Sequence, residues 1–316
     1  MSAMPSPPVA LVTGAGSGLG LESALTLAAE GYRVYGSVLN RSEEEALSTA
    51  ARARGVAVRP LAMDVTQPAE VLAAVESVAA AAGRIDALVS FAGVGLRGFF
   101  EDLTLEEIRR VYDVNVFGVM AVVQAVLPHM RKARSGRIIL TTSIGGRMGT
   151  MTISGYGSSK FACEGFGECL HQEVLPFGIH VSLLEPGLVA TPHFTRNRNR
   201  SRRAVDPASP YYKWFCQHER IVDSILARQS FGPPEVARVV LKILASRRPR
   251  LRYVVGRTAK VIFALRRYIP GELFQNLYWA AVRRMVTRPR HQADGLSGPA
   301  AAPGGLVHEE TTSSLR

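Results

Sequence analysis

Tyr156 and Lys160 stand four residues apart, so on a helix their side chains leave from one face. A phenol held beside an ammonium has a definite chemical use. The positive charge favours the phenolate form, which turns the hydroxyl into a proton donor and acceptor for a bound reactant. Ser143 precedes this pair in the chain, and its hydroxyl can orient a carbonyl oxygen beside the phenol. A Tyr-x-x-x-Lys pair by itself is more often ordinary helix surface. The rest of the chain must therefore supply a second reactant and a place to bind it.

The elements that would position these groups can be read in order. Arg137-Ile-Ile-Leu-Thr-Thr142 has the pattern of a buried strand that delivers Ser143 at its end, and a helix begins near Tyr156 and runs to Phe177. At the other end of the chain, the apolar run from Val9 breaks at Thr13-Gly-Ala-Gly-Ser-Gly-Leu-Gly20, after which Glu22 to Glu30 reads as a helix. Strand, glycine turn and helix together form a dinucleotide-binding context. Gly14 permits the tight turn, Gly18 lets backbone approach a pyrophosphate, and Gly20 lets the helix pack closely. The helix N-terminus then faces the phosphates with its positive dipole end.

A second strand, Tyr32 to Val38, ends in Leu39-Asn-Arg41 with no acid at the strand end to hold a ribose diol. Arg41, with Ser37 nearby, suits a phosphate instead, which favours NADP(H) over NAD(H); the plainer alternative makes Arg41 a solvated turn residue. A third strand, Ala57 to Leu61, leads to Asp64-Val65, with Asp64 placed to meet an adenine amine or to cap the helix from Pro68. Ile85 to Ser90 is a fourth strand and runs into Phe91-Ala92-Gly93. A helix from Leu105 continues through Asn115 to about Met130, and a strand over His180 to Leu184 leads to Glu185-Pro-Gly-Leu-Val-Ala-Thr191. This alternation predicts an α/β fold: a single Rossmann-type, doubly wound parallel sheet with helices on both faces. Gly14, Asp64, Gly93, Ser143 and Pro186 then all fall at the C-terminal strand edge, where ligands bind in such sheets.

Composition sets the outer limits. The 316 residues carry a net charge of +12, but the excess is local. Arg247 to Arg290 holds twelve Arg or Lys residues against Glu272 alone, and the run after Thr195 adds five arginines, so the remainder is slightly acidic. No nucleic-acid motif accompanies these clusters, and charge alone warrants only non-specific affinity. Cys163, Cys169 and Cys216 fit neither a zinc pattern nor a disulfide framework, so no metal is expected and a reducing, cytoplasmic setting is. The proline-rich start is unlike a signal peptide, and no stretch reaches roughly 18 uninterrupted apolar residues. The predicted organisation is a flexible N-terminus (1–8), a Rossmann-type domain (9–257) with a substrate loop at about 192–231, a basic amphipathic helical extension (258–287) and a disordered tail (288–316). Aromatic residues in the loop suit an apolar lid or the core of extra helices, and His218 is a candidate for a substrate's polar group or a surface histidine. The extension suits a lid, a dimer contact or peripheral association with an anionic membrane.

Taken together, Thr13-Gly14-x-x-x-Gly18-x-Gly20, Asp64-Val65, Asn115, Ser143 with Tyr156-x-x-x-Lys160, and Pro186-Gly187 with Thr191 resemble the classical short-chain dehydrogenase/reductase family over about residues 9–192. The stretches Asp113 to Gly118, Ser143 to Gly149, Ser159 to Gly165 and Leu175 to Leu183 resemble its estradiol 17-beta-dehydrogenase and photoreceptor retinol dehydrogenase branch. The chain departs from the family pattern at Ser90-Phe91-Ala92-Gly93, where Asn-Asn/Cys-Ala-Gly is usual, and at Leu39-Asn40, which precede Arg41. The resemblance implies hydride transfer between a nicotinamide and the carbon of a lipophilic, steroid- or retinoid-like alcohol or ketone, in a homo-oligomeric enzyme. Tyr156 would be the acid/base, Lys160 its partner and a ribose ligand, Ser143 the positioner of substrate oxygen, and Asn115 the holder of a water next to Lys160. It also implies cofactor contacts from Thr13, Gly14, Gly16, Ser17, Gly18, Leu19 and Gly20, from Arg41, Asp64, Val65, Ala92 and Gly93, and from Pro186, Gly187, Val189 and Thr191. A non-catalytic NADP(H)-binding sensor of the same fold is the alternative.

Overall fold

The uninterrupted apolar run Val9–Thr13 has no polar face to offer water, and it forms the fully buried strand β1 of a computed structural model that describes residues 6–195, 198–229 and 231–287. Six further strands are β2 (Arg33–Val38), β3 (Val58–Ala62), β4 (Ala87–Ser90), β5 (Gly136–Thr141), β6 (Ile179–Pro186) and β7 (Arg252–Val255). All seven pair in parallel, in the order β3-β2-β1-β4-β5-β6-β7. A parallel sheet needs cover on both faces, and each face has its own core. One core joins Leu11, Leu88, Ile138 and Leu183 to helices α3 (Pro68–Ala82), α5 (Val119–Ala133) and α6 (Ser154–Val174). The other joins Val12, Val89, Ile139 and Leu184 to α1 (Gly18–Ala29), α2 (Arg41–Ala53) and α8 (Pro233–Ala245). The chain crosses from one face to the other between β1 and β4, which opens a crevice at their C-terminal ends.

Two departures from the sequence expectations bear on function. The helix from α4 (Leu105–Tyr112) into α5 is not uniform, because Asp113–Gly118 between them forms a π-helical turn that carries Asn115. Together they make a 29-residue run, Leu105–Ala133, apolar enough by composition for a membrane span. Its buried residues Val119, Val122, Val126 and Met130 pack in the first core, so it serves as a core helix. Second, the stretch expected as a substrate loop contains a regular helix, α7 (Tyr212–Ala227), which buries Phe215, His218, Glu219, Val222 and Leu226. The C-terminal extension is helical as expected: it forms α9 (Arg257–Tyr268) and α10 (Gly271–Thr287), and α10 lies against α7. The expected tail at 288–316 and most of the expected flexible N-terminus lie outside the described residues.

Candidate active site

A cleft of about 850 Å³ runs along the C-terminal ends of β1, β2, β4, β5 and β6. Its first wall is the turn after β1. Gly14 and Gly18 have φ of +66° and +56°, conformations that side chains rarely adopt. A Cβ at Gly14 would lie 2.8 Å from the Ala92 nitrogen, and one at Gly20 would lie 2.1 Å from the Gly14 oxygen. The turn is therefore closed to side chains and leaves bare backbone and the α1 N-terminus facing the cleft, a cradle that fits a pyrophosphate. Ser17, Leu19, Asp64, Val65, Ala92, Gly93, Pro186, Gly187, Val189 and Thr191 also line the cleft. Thr191 closes over the turn: a Cβ at Gly18 would sit 3.5 Å from the Thr191 Cβ. Asp64 is partly occupied, since its Oδ1 accepts from the nitrogen and hydroxyl of Thr66 at 2.9 and 2.8 Å.

Thr13 acts from beneath. Its buried Oγ1 accepts from the Phe91 and Ala92 nitrogens, both at 3.1 Å. The backbone donors at the departure Ser90-Phe91-Ala92 are thus satisfied without an asparagine amide, and the Phe91 ring packs against the second core.

Arg41 stands outside the cleft lining. It opens α2 as an exposed residue, and its Nε donates to Glu45 at 3.1 Å, one helical turn on. The cleft residues contributed by β2 and the start of α2 are Ser37, Leu39 and Glu43. The Asn40 side chain caps α2 by accepting from the Glu43 nitrogen, and Glu43 returns to accept from the Leu39 nitrogen at 2.8 Å. This reciprocal cap folds the carboxylate inward and places Arg41 on the opposite side. A Cβ at Gly16 would lie 2.5 Å from the Glu43 Cβ, so Gly16 marks the closeness of that acid.

At the other end of the cleft, Ser143 opens a 3-10 turn (Ile144–Gly146), and its Oγ accepts from the Gly145 nitrogen at 3.0 Å. That turn is pressed onto α6, where a Cβ on Gly146 would meet the Lys160 carbonyl oxygen at 2.8 Å. A Cβ on Gly145 would have both Ser143 Oγ (3.5 Å) and Tyr156 Cε1 (3.9 Å) as neighbours, so the two side chains flank one point. Buried Lys160 donates from Nζ to the Thr141 carbonyl at 2.9 Å, with the nitrogen 5.9 Å from the centre of the Tyr156 ring. Asn115 is fully buried and does not line the cleft. Its amide accepts from the Val94 nitrogen (2.8 Å) and donates to the Val94 carbonyl (2.9 Å) and Ser159 Oγ (3.1 Å), tying the loop after β4 to α6. Its own carbonyl accepts from Cys163 Sγ at 2.9 Å. These bonds anchor Asn115, which the π-turn carries, between the loop after β4 and α6, and a Cβ on Gly93 would have both Asn115 Oδ1 (3.2 Å) and Lys160 Nζ (3.7 Å) as neighbours.

A second cavity, about 180 Å³ and mainly apolar, opens from the first. Leu96, Ile144, Met148, Ile153, Ile221, Val222, Ile225, Val282, Met285 and Val286 line it. Ser143, Tyr156 and Gly187 belong to both cavities, so the two meet at the pair of hydroxyls. His218 lies in the wall of the apolar cavity and is buried. Its Nδ1 is 3.3 Å from Arg97 Nη2 and 3.1 Å from Thr152 Oγ1. Since arginine can only donate, Nδ1 accepts and the neutral ring keeps its hydrogen on Nε2. Burial and the charge of Arg97 push the imidazole down to about 4, so it is neutral near pH 7. Arg97 is itself fixed by Glu219 at 2.5 Å, and Arg198 and Arg200 bind the same carboxylate. Neither Glu43 nor the Arg97–Glu219 ion pairs that surround His218 were visible as part of a site in the sequence. The reciprocal Asn40–Glu43 spacing at a helix start is the one local signal that could have revealed Glu43.

Comparison with known proteins agrees with this geometry. The family model described as short chain dehydrogenase matches residues 8–202. A 3-ketodihydrosphingosine reductase of Bacteroides thetaiotaomicron is 38% identical over 270 residues, covering 85% of this chain and 96% of that protein. The human 17-beta-hydroxysteroid dehydrogenase type 1 is 36% identical over 252 residues, covering 78% and 76%. Among solved structures, a short-chain dehydrogenase from Streptomyces avermitilis superposes with a TM-score of 0.71 at 29% identity, covering 90% of this chain and 96% of that one.

Proposed function

The chain belongs to the short-chain dehydrogenase/reductase family, an oxidoreductase fold that binds nicotinamide dinucleotides, and we propose that it interconverts a lipophilic alcohol and its ketone or aldehyde. The observation that carries this reading is the meeting of a glycine-cradled cleft and an apolar cavity at Ser143 and Tyr156. A bound nicotinamide dinucleotide supplies or accepts the hydride. The residues of the chain do the rest. Tyr156 Oη gives a proton to the substrate oxygen in reduction and takes it back in oxidation. Ser143 Oγ accepts from Gly145, which leaves its hydrogen available to donate to the substrate oxygen. Lys160 spends one donor on Thr141 and keeps two for the nicotinamide ribose, with its charge beside the phenol. Asn115 keeps the loop after β4 in place against α6.

The apolar cavity supports a hydrocarbon-rich substrate of the steroid, retinoid or long-chain keto-lipid kind, and the relatives named for a keto-sphingoid base and a hydroxysteroid agree with that class. The Nε2–H of His218 offers one donor to a polar group distant from the reacting carbon. For the cofactor, the residues at the β2 end of the cleft support NAD(H) in place of the NADP(H) read from Arg41. Glu43 repels a 2′-phosphate at that end of the cleft and can accept hydrogen bonds from a 2′-hydroxyl.

Tyr156→Phe tests the chemistry. Turnover across a panel of steroid, retinoid and long-chain ketones should fall at least about 100-fold, while binding followed by nicotinamide fluorescence is retained. A near-normal rate would remove Tyr156 from the mechanism. The same titration should show tighter binding of NADH than of NADPH, and the opposite order would restore the phosphate reading.

A further inference from the structure

The C-terminal helices present two opposed faces. On α9, Val261, Ala264, Leu265 and Tyr268 recur at i, i+3, i+4 and i+7, and all are exposed, Tyr268 at 80%. Leu273 and Leu277 continue an exposed apolar row along α10. The other side of each helix is engaged with the domain. Ala259 is buried, and Phe263 lies under the Arg147 guanidinium at 4.5 Å. On α10, Phe274, Val282 and Val286 are buried, Val282 and Val286 line the apolar cavity, and the Tyr278 hydroxyl donates to Thr150 Oγ1 at 3.0 Å. The inner face of α10 is thus part of the wall of the cavity that ends at Tyr156.

Charge decides what fits the outer face. Between residues 257 and 287 there are six basic side chains, Arg257, Lys260, Arg266, Arg267, Arg283 and Arg284, and one acid, Glu272. Arg266 and Arg267 share a surface cleft with Glu164 and Glu168, but exposed Arg257 and Lys260 lie beside the apolar row of α9, and a second copy docked through a two-fold axis would set this basic face against its own like. At 12 and 17 residues, the helices are also short for a membrane span. An apolar row flanked by lysine and arginine matches a helix lying in the plane of an anionic bilayer.

We propose that α9 and α10 dock this protein peripherally on an anionic lipid bilayer through Val261, Leu265, Tyr268, Leu273 and Leu277, which places the apolar cavity directly above the lipid. A substrate dissolved in the membrane then reaches Tyr156 past α10; this second part rests on the lipophilic-substrate reading, whereas the docking does not.

Flotation of the full-length protein tests the docking, without cofactor or substrate. It should float with vesicles of phosphatidylcholine containing about 30% phosphatidylglycerol and stay behind with pure phosphatidylcholine, as expected for a basic docking face. Leu265→Gln with Tyr268→Gln, and separately Lys260→Gln with Arg267→Gln, should each weaken binding to the anionic vesicles by about tenfold or more. These side chains are exposed, so each variant should melt with the parent, and melting is measured alongside. Failure of the parent to float, or equal flotation of parent and both variants, would overturn the proposal. So would a dimer that either variant converts to a monomer while vesicle binding is absent, which would assign the face to a second copy. A docking failure leaves the hydride-transfer reading standing, and an active Tyr156→Phe variant leaves the docking standing.

Discussion

Replacing Glu219 with glutamine removes the anion around which three guanidinium groups are packed. Glu219 Oε1 accepts from Arg97 Nε at 2.5 Å, and Oε2 accepts from Arg200 Nε at 2.7 Å and Arg198 Nη1 at 3.1 Å. Burial works to raise this carboxyl, but the three arginines outweigh it and hold it at about 2, against an ordinary 4.5. At 1.36 kcal/mol per unit, that drop corresponds to about 3 kcal/mol favouring the charged native form. The variant should lose about that much, within the range found when one partner of a buried ion pair is removed. For a chain of this size the melting temperature should fall by roughly 6 °C at pH 8.

The pH profile separates this cause from simple loss of packing. The native pKa lies below the unfolded one, so the stabilisation is complete above pH 4.5 and drains away as pH falls toward 2. Urea or thermal melts of the parent should show that decline, and Glu219→Gln should lack its share of it. A melting temperature within 2 °C of the parent at pH 8, or an unchanged acid profile, would refute the reasoning.

Two further outcomes follow from buried groups near the site. Glu185 ends β6 fully buried, where burial and then Glu164 raise it to about 7 despite Arg147 and Arg252. Its native form therefore holds a proton that the unfolded chain releases between pH 4.5 and 7, so this group lowers stability as pH rises through that window. Urea midpoints at pH 5 and pH 8 should differ less for Glu185→Gln than for the parent, and an equal difference would exclude the assignment. Gly20→Ala would bring a Cβ to 2.1 Å from the Gly14 oxygen, so the turn must open. Stability should fall by about 1–3 kcal/mol in thermal melts, and dinucleotide binding by nicotinamide fluorescence should weaken more than tenfold; unchanged binding would separate the turn from the cofactor.

Much of the catalytic end of this protein was readable in order along the chain, because its signals are local. Strands buried on both faces read as apolar runs, the turn after β1 needs glycines at fixed offsets, and Tyr156 and Lys160 share a helix face through their spacing. The strand order then brings Ser143 to the same edge as Gly14 without any information beyond the alternation of elements. Phe91 departs from the family pattern, and only the coordinates show that Thr13 satisfies the backbone there.

What tertiary structure alone decided depends on direction and on pairs far apart in sequence. Arg41 and Glu43 are two residues apart on α2, so they leave the helix on opposed sides, and the capping bonds of Glu43 choose which one enters the cleft. Arg97 meets Glu219 across 122 positions, and no local pattern records that pairing. Asn115 sits in a π-turn, and its contacts there with Val94 and Ser159 join residues 21 and 44 positions apart. The apolar cavity draws its walls from the loops after β4 and β5 and from α7 and α10. Its existence, and the outward face it leaves on α10, are properties of packing between elements, whereas the pairing of Tyr156 with Lys160 is a property of spacing within one.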